Sequence, residues 1–245
     1  MTPRPTSGRK GQDWWDEFWR SPNLGRARAL TVERCAEESF EHLAHLPLGS
    51  REPPLVLDLG CGDGDITARL ALSRDIRLIA TDLSGLALRE CGRRGSTPRF
   101  QASAYELPLP DESVDAIVSF GYASVASYVG VPGEVARVLR PGGLAVVDFP
   151  NPSLYHWLGD PGGTLRWWRR YRDPGSEQYH FGPRGVAVVF GQVGLRLEAA
   201  SYFSAYPPVG AATRIPGIAR LDRLAGRLAG RALGRVMVAR FRRER

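Results

Sequence analysis

Residues 55–65 read Leu55-Val56-Leu57-Asp58-Leu59-Gly60-Cys61-Gly62-Asp63-Gly64-Asp65. An apolar run that ends in three alternating glycines and passes into Ile66-Thr67-Ala68-Arg69-Leu70-Ala71-Leu72 has the pattern of a buried strand, a tight loop and a helix. Glycine lets a backbone approach a ligand where a Cβ would obstruct it. The first amides of a helix lack internal partners and favour a carboxylate or phosphate. Asp58, at the strand end, is expected beside such a ligand rather than in the core. A strand-to-helix turn without a ligand would use the same glycines, so the neighbouring stretches decide.

Downstream, Ile76-Arg77-Leu78-Ile79-Ala80-Thr81-Asp82 reads as a second buried strand ending in an acid. Asp82 follows Asp58 at about the separation at which a carboxylate on the second strand of a βαβ unit meets ribose hydroxyls. Capping of a helix that begins near Ser84 is the alternative reading of Asp82. Phe100-Gln101-Ala102 suggests a third strand, followed by a loop that Pro108 and Pro110 pin. Val114 to Phe120 forms a fourth strand, and Leu144 to Phe149 a fifth, after a helix from Gly133 to Leu139 that stops at Arg140-Pro141-Gly142-Gly143. A helix from Arg184 to Gln192, a sixth strand from Leu195 to Tyr202 and a seventh from Arg235 to Phe241 follow. Strands alternating with helices mean a mostly parallel α/β sheet with helices on both faces, binding ligands at the carboxyl ends of its strands.

The segments VLDLGCGDGDITARL, IATDLS, AYELPLPDESVDAIVSF and EVARVLRPGGLAVVDF, taken in this order, resemble the successive motifs of the class I S-adenosylmethionine-dependent methyltransferases that act on small molecules. The resemblance covers residues 55–150. It implies a Rossmann-like, doubly wound, seven-stranded sheet whose last strand is antiparallel and inserts between the fifth and sixth. It implies S-adenosyl-L-methionine as cofactor, with Gly60 and Gly62 against its methionine half and Cys61 lending a small side chain between them. Asp58 would help to hold the amino group through the loop, Asp82 would take the ribose hydroxyls, Leu83 would lie on the adenine face and Phe120 would offer its carbonyl to the methionine end. Many relatives carry an acid near position 103 for the adenine amino group; here Ser103 and Ala104 stand there, and a serine hydroxyl is the weaker acceptor. A dinucleotide-binding loop would have glycine where this chain has Asp65, which disfavours a nicotinamide dehydrogenase.

Composition narrows the function further. The net charge of +7 is concentrated: residues 211–245 hold ten arginines against Asp222 and Glu244, a surplus larger than that of the whole chain. The rest is near neutral, which argues for a small-molecule acceptor over nucleic acid. RNA remains the alternative because Arg166-Trp167-Trp168-Arg169-Arg170-Tyr171-Arg172 could stack on bases, and a cofactor-binding protein without activity is a third reading. Cys35, Cys61 and Cys91 are scattered, and His42 and His45 lack a third ligand and read as surface residues, so no disulfide framework and no metal site is expected. No run of 18 apolar residues occurs and the start lacks the apolar core of a secretion signal; a cytoplasmic protein without a membrane span is expected.

A single methyltransferase domain is thus expected over 1–245. It has a flexible tail at 1–11, a helical lid at 12–46, a cofactor-binding core at 50–150 and substrate-cap insertions at 151–183 and 209–233. Trp14, Trp15 and Trp19 serve either as that lid or as plain packing. A helix from Ile215 to Leu233 carries Ile218, Leu221, Leu224 and Leu228 on one face and arginines on another; ordinary packing is its expected state, and contact with an anionic membrane stays open. The expected chemistry is direct displacement from the sulfonium methyl, which demands no fixed base. Tyr122, Tyr128, Asp148, Tyr155 and His156 are candidates to remove a proton, and no catalytic residue is assigned.

Overall fold

A computed structural model describes residues 11–20, 28–46, 53–72, 76–120, 126, 128–151, 182–203, 224, 228–232, 234 and 236–245. The cap segment 152–181, with Tyr155, His156 and the tryptophan–arginine cluster, lies outside the described residues, as do Tyr122 and most of the helix expected at 215–233. In chain order the described elements are α1 (Gln12–Arg20), α2 (Arg28–Leu43), β1 (Leu55–Leu59), α3 (Asp65–Leu70), β2 (Arg77–Asp82), α4 (Gly85–Arg94), β3 (Arg99–Gln101) and β4 (Val114–Ser119). They continue with α5 (Val131–Val138), β5 (Leu139–Pro150), α6 (Pro183–Gly191), β6 (Leu195–Phe203) and β7 (Val236–Arg243).

The strands form one sheet in the order β3-β2-β1-β4-β5-β7-β6. Pairings among β1 to β5 are parallel, and β7 is antiparallel to both β5 and β6. The expected insertion of the last strand between the fifth and sixth is therefore present. β1 runs down the middle because Leu57 and Val56, on opposite faces, are both apolar and fully buried. One face is covered by α5 and α6. There Leu57, Leu59, Ile117, Ala145, Val147 and Phe149 meet Val131, Val135 and Phe190, and Phe190 stacks on Phe241 with ring centres 4.2 Å apart. The other face buries Val56, Val118, Val146 and Val238 beneath Cys35, Leu43 and Leu70 of α2 and α3.

The RPGG stop is a local excursion within β5 rather than its boundary. Val114 pairs with Leu139 and Ala116 with Leu144, so residues 140–143 loop out of register. Arg137 explains the preceding EVARVL segment. Its guanidinium donates to the Leu107 and Leu109 carbonyls at 3.0 and 2.9 Å and to the Glu134 and Asp111 carboxylates, pinning the proline loop to α5.

The two helices of residues 12–46 behave differently. α2 is part of the core, and His42, expected at the surface, is buried at 7% exposure with its Nε2 3.3 Å from Ser201 Oγ. The sequence misleads there because β6 reaches this helix from 159 residues away. α1 instead docks on α4, and Trp15 packs against the margin of the core. Leu224 and Leu228, expected to pack, are 54% and 78% exposed.

Candidate functional site

The carboxyl ends of β1, β2 and β4 lie side by side, and the glycine loop crosses them. Gly60, Gly62 and Gly64 all have positive φ, at 77°, 58° and 81°, which explains why this loop alternates glycine. Their tasks differ. A Cβ on Gly64 would lie 2.7 Å from Cys91 Sγ and 2.9 Å from Cys91 Cα, so this glycine is required by the packing of α4 rather than by a ligand. Cys61 serves the same packing: its side chain is buried with Ala80, Leu88 and Cys91, and its bond to the Cys91 thiol together with burial pushes its own thiol pKa up.

The loop amides are largely committed. Gly60 and Cys61 N–H both donate to the Thr81 carbonyl, at 2.8 and 3.0 Å, Gly64 N–H donates to Cys61 O at 3.1 Å, and Gly62 N–H donates to Asp82 Oδ2 at 2.9 Å. α3 starts directly at Asp65, an acid in its first turn, and Arg94 bridges Asp63 and Asp65. These bonds take the loop's own amides, whereas the N-terminus of α3 has no side-chain cap and carries an acid, Asp65, in its first turn. The carboxylate of Asp82 beside the loop suits a ligand that offers donors, such as hydroxyls.

Asp82 is the acceptor at the centre. Its Oδ1 accepts from Ser84 N–H at 2.8 Å while Oδ2 holds Gly62, and burial raises its pKa. Each carboxylate oxygen retains a second lone pair, so the two ribose hydroxyls proposed for Asp82 are compatible with these bonds. The N-cap of α4 is Ser84, whose Oγ accepts from Ala87 N–H at 3.1 Å. Asp82 therefore orients the cap residue and is not itself the cap.

Asp58 lies deeper than expected. At 3% exposure it sits under the loop, accepts from the Thr67 hydroxyl at 2.6 Å, and is pushed up to about 7 by burial. The expectation that it stands beside the ligand rather than in the core is corrected: a charged group at the end of an apolar strand can be kept by a partner on the next helix.

Of the residues expected to border an adenine, Leu83 is half-buried and its carbonyl accepts from Gln101 Nε2 at 2.9 Å. Ser103 Oγ accepts from Tyr105 N–H at 3.3 Å, and Ala104 is buried beside it. Phe120 follows β4 at 6% exposure, and Ser119 Oγ ties β4 to the Leu59 carbonyl. Of the candidate proton acceptors, Tyr128 and Asp148 are buried at 7% and 1% exposure.

A second feature lies elsewhere. A cavity of about 570 Å³ is lined by Arg34, Glu38, Ser201, Tyr202, Leu228 and Arg231, among others. Arg34 donates to Glu38 at 2.8 Å, Ser201 Oγ donates to Glu38 Oε2 at 2.5 Å, burial raises Glu38, and burial with Arg240 lowers His42 to about 4. His42 is then neutral, and its 3.7 Å approach to Glu38 is no ion pair at pH 7. β6 is four strand spacings from β1, roughly 19 Å, so this cavity is separate from the glycine loop.

Sequence reasoning missed Thr67, Ser84 and Asp16 as supports of the site. Ser84 had a readable signal, a serine just ahead of a helix; Asp16 had none, since its bond to Ser84 spans 68 residues. Among the described residues no group of three His, Cys, Asp or Glu side chains could hold a metal, and no helix is long and apolar enough to cross a membrane.

Residues 57–147 match the family described as methyltransferase domain. A demethylmenaquinone methyltransferase of Mycobacterium sp. (strain KMS) is 36% identical over 133 residues, 54% of this chain and 53% of that protein. The chain thus matches about half the length of this curated relative. A methyltransferase from Haloferax volcanii, solved in complex with the Trm112 methyltransferase activator, superposes with a TM-score of 0.62 at 18% identity, covering 96% of this chain and 98% of the other. A geranyl diphosphate methyltransferase solved with GPP and sinefungin gives 0.55 at 19% identity, over 85% and 77%. At these identities the structures speak for the fold.

Proposed function

We propose that this chain carries a methyltransferase domain of the class I, S-adenosylmethionine-dependent family, binds S-adenosyl-L-methionine at the glycine loop and transfers its methyl group to a small molecule. The observation that carries the proposal is Asp82: a carboxylate at the tip of β2, anchored to the Gly62 and Ser84 amides, beside a loop whose own N–H groups are taken.

In this reading Asp82 receives the ribose hydroxyls and Leu83 packs on the adenine. Ser103 and Ala104 border the adenine edge, and Gly60, Cys61, Gly62 and the Phe120 carbonyl border the methionine half. Asp58 acts from beneath, through Thr67 and the loop, rather than by touching the cofactor. The cofactor supplies a methyl group already activated on a sulfonium. The chain's task is to fix the acceptor in line with that methyl and to exclude water, so transfer proceeds by direct displacement. The acceptor is a small molecule because the basic charge is confined to residues 211–245 rather than spread along a nucleic-acid groove.

Calorimetry of the full chain with S-adenosylhomocysteine should give micromolar binding, and labelled methyl transfer into small-molecule extract should identify the acceptor. Binding of NADH in its place, or tight RNA retention at physiological salt, would overturn the reading.

A second reading concerns where the acceptor is met. Leu224 and Leu228 stand exposed near the exposed Arg231, which suits peripheral contact with an anionic bilayer. Sedimentation with phosphatidylglycerol vesicles, lost in Leu228→Glu, is the expected result; no sedimentation removes this reading.

A further inference from the structure

The helix α1 reaches the glycine loop through an unbroken line of hydrogen bonds. Asp16 Oδ1 accepts from the Ser84 hydroxyl and from Leu86 N–H at 3.3 Å. Ser84 N–H donates to Asp82 Oδ1 at 2.8 Å, and Asp82 Oδ2 accepts from Gly62 N–H at 2.9 Å. Three segments distant in sequence are joined in this way: α1, the turn from the tip of β2 into α4, and the loop after β1.

Two features make this more than surface decoration. Ser84 is fully buried, so its hydroxyl has no water to turn to, and with Ala87 N–H as its donor and Asp16 as its acceptor it is held in one rotamer. The start of α4 is also capped twice, by Ser84 within the chain and by Asp16 from another helix, which takes Leu86 N–H. An acid at a helix start is electrostatically favoured there, and its bond to Ser84 lowers the pKa of Asp16.

We infer that Asp16 is a positioning residue for the cofactor site: by latching α1 onto Ser84 it sets the orientation of Asp82 and, through Gly62, the shape of the glycine loop. Asp16 touches no cofactor atom in this scheme. It holds the Ser84 amide and hydroxyl where Asp82 needs them, so that the outward lone pairs of Asp82 are aimed before the ligand arrives. The docking of α1 and the binding of the ribose then favour each other, since each is paid by the same fixed geometry. The inference rests on the reading of Asp82 as the ribose acceptor.

The test is calorimetric titration of S-adenosylhomocysteine into the full-length chain and its variants. Asp16→Ala, which removes the acceptor of both bonds, should weaken binding about 5- to 20-fold. Asp16→Asn, whose Oδ1 can still accept, should restore part of it, and Asp13→Ala, at an exposed position of α1, should leave it unaltered. Asp16→Ala combined with Ser84→Ala should be no weaker than the worse single variant, because both cut one line. Unchanged affinity in Asp16→Ala, even with a lower melting temperature, would overturn the inference and leave Asp16 as a structural contact only. If the unaltered chain binds no S-adenosylhomocysteine, the proposed function fails first and the inference with it.

Discussion

The Thr67 hydroxyl donates to Asp58 Oδ2 at 2.6 Å, tying the end of β1 to α3 beneath the glycine loop. A carboxylate so buried resists ionisation: its pKa is pushed up from 3.8 to about 7, burial outweighing the Thr67 bond. The folded state therefore holds this proton more tightly than the unfolded chain does. Below about pH 4 both states carry it and no difference arises; between about pH 4 and 7 the unfolded chain ionises first, and stability falls as pH rises. Asp58→Asn, which can still accept from Thr67, should flatten this slope. A tenfold displacement of a proton equilibrium is about 1.4 kcal/mol, so the variant should gain at most roughly 4 kcal/mol at pH 8. Thermal melts from pH 4 to 8 without cofactor measure it, and parallel curves for the two proteins would contradict the assignment.

Asp82→Asn keeps one carbonyl acceptor and loses the charge. The loop should persist with a modest drop in melting temperature, because Gly62 or Ser84 loses a partner. Hydrogen bonds to charged groups are worth about 1.5–3 kcal/mol, so affinity for S-adenosylhomocysteine should fall about tenfold or more. Calorimetry beside melting curves separates the two effects.

Gly64→Ala tests the packing role of the third glycine. The new Cβ would meet both Cys91 Sγ and Cys91 Cα below 3 Å and would sit at a φ of 81°. Strain and overpacking of this kind cost roughly 2–4 kcal/mol. Adding Cys91→Ala should recover only part of the loss, since the clash with the α4 backbone remains. Urea midpoints for the single and double variants read this directly.

Arg137→Met removes the clamp between α5 and the proline loop. Five bonds end on this guanidinium, yet it is about one-third exposed, so the expected loss is only about 1–2 kcal/mol. Hydrogen exchange should quicken over residues 105–112 while the central strands keep their protection.

The sheet was legible because its central strands are apolar runs and because strand and helix alternate over most of residues 55–149, the exception being the loop that joins β3 to β4. Local periodicity carries such information. The place of Asp82 was legible too, for it ends its strand, at the carboxyl edge of a parallel sheet where ligands bind. Other assignments failed where two distant segments meet. His42 looks solvated on α2 until β6 covers it with Ser201, and Leu224 and Leu228 look like a packing face until the fold leaves them exposed.

Gly60, Gly62 and Gly64 are indistinguishable in the sequence, three glycines in alternation. Only the approach of Cys91 separates the last from the first two. Asp58 and Asp82 likewise both end apolar strands, and the tertiary structure parts them: one is sealed under the loop with Thr67, the other stands half-open at the tip of β2 between two amides. By itself the sequence determined the alternation of elements, the order of the motifs and the acid at the end of the second strand, because these depend on residues near one another in the chain. Which glycine packs against α4, which carboxylate keeps its proton, and that α1 is bound to the loop through Asp16 depended on contacts across tens of residues, and packing alone decided them.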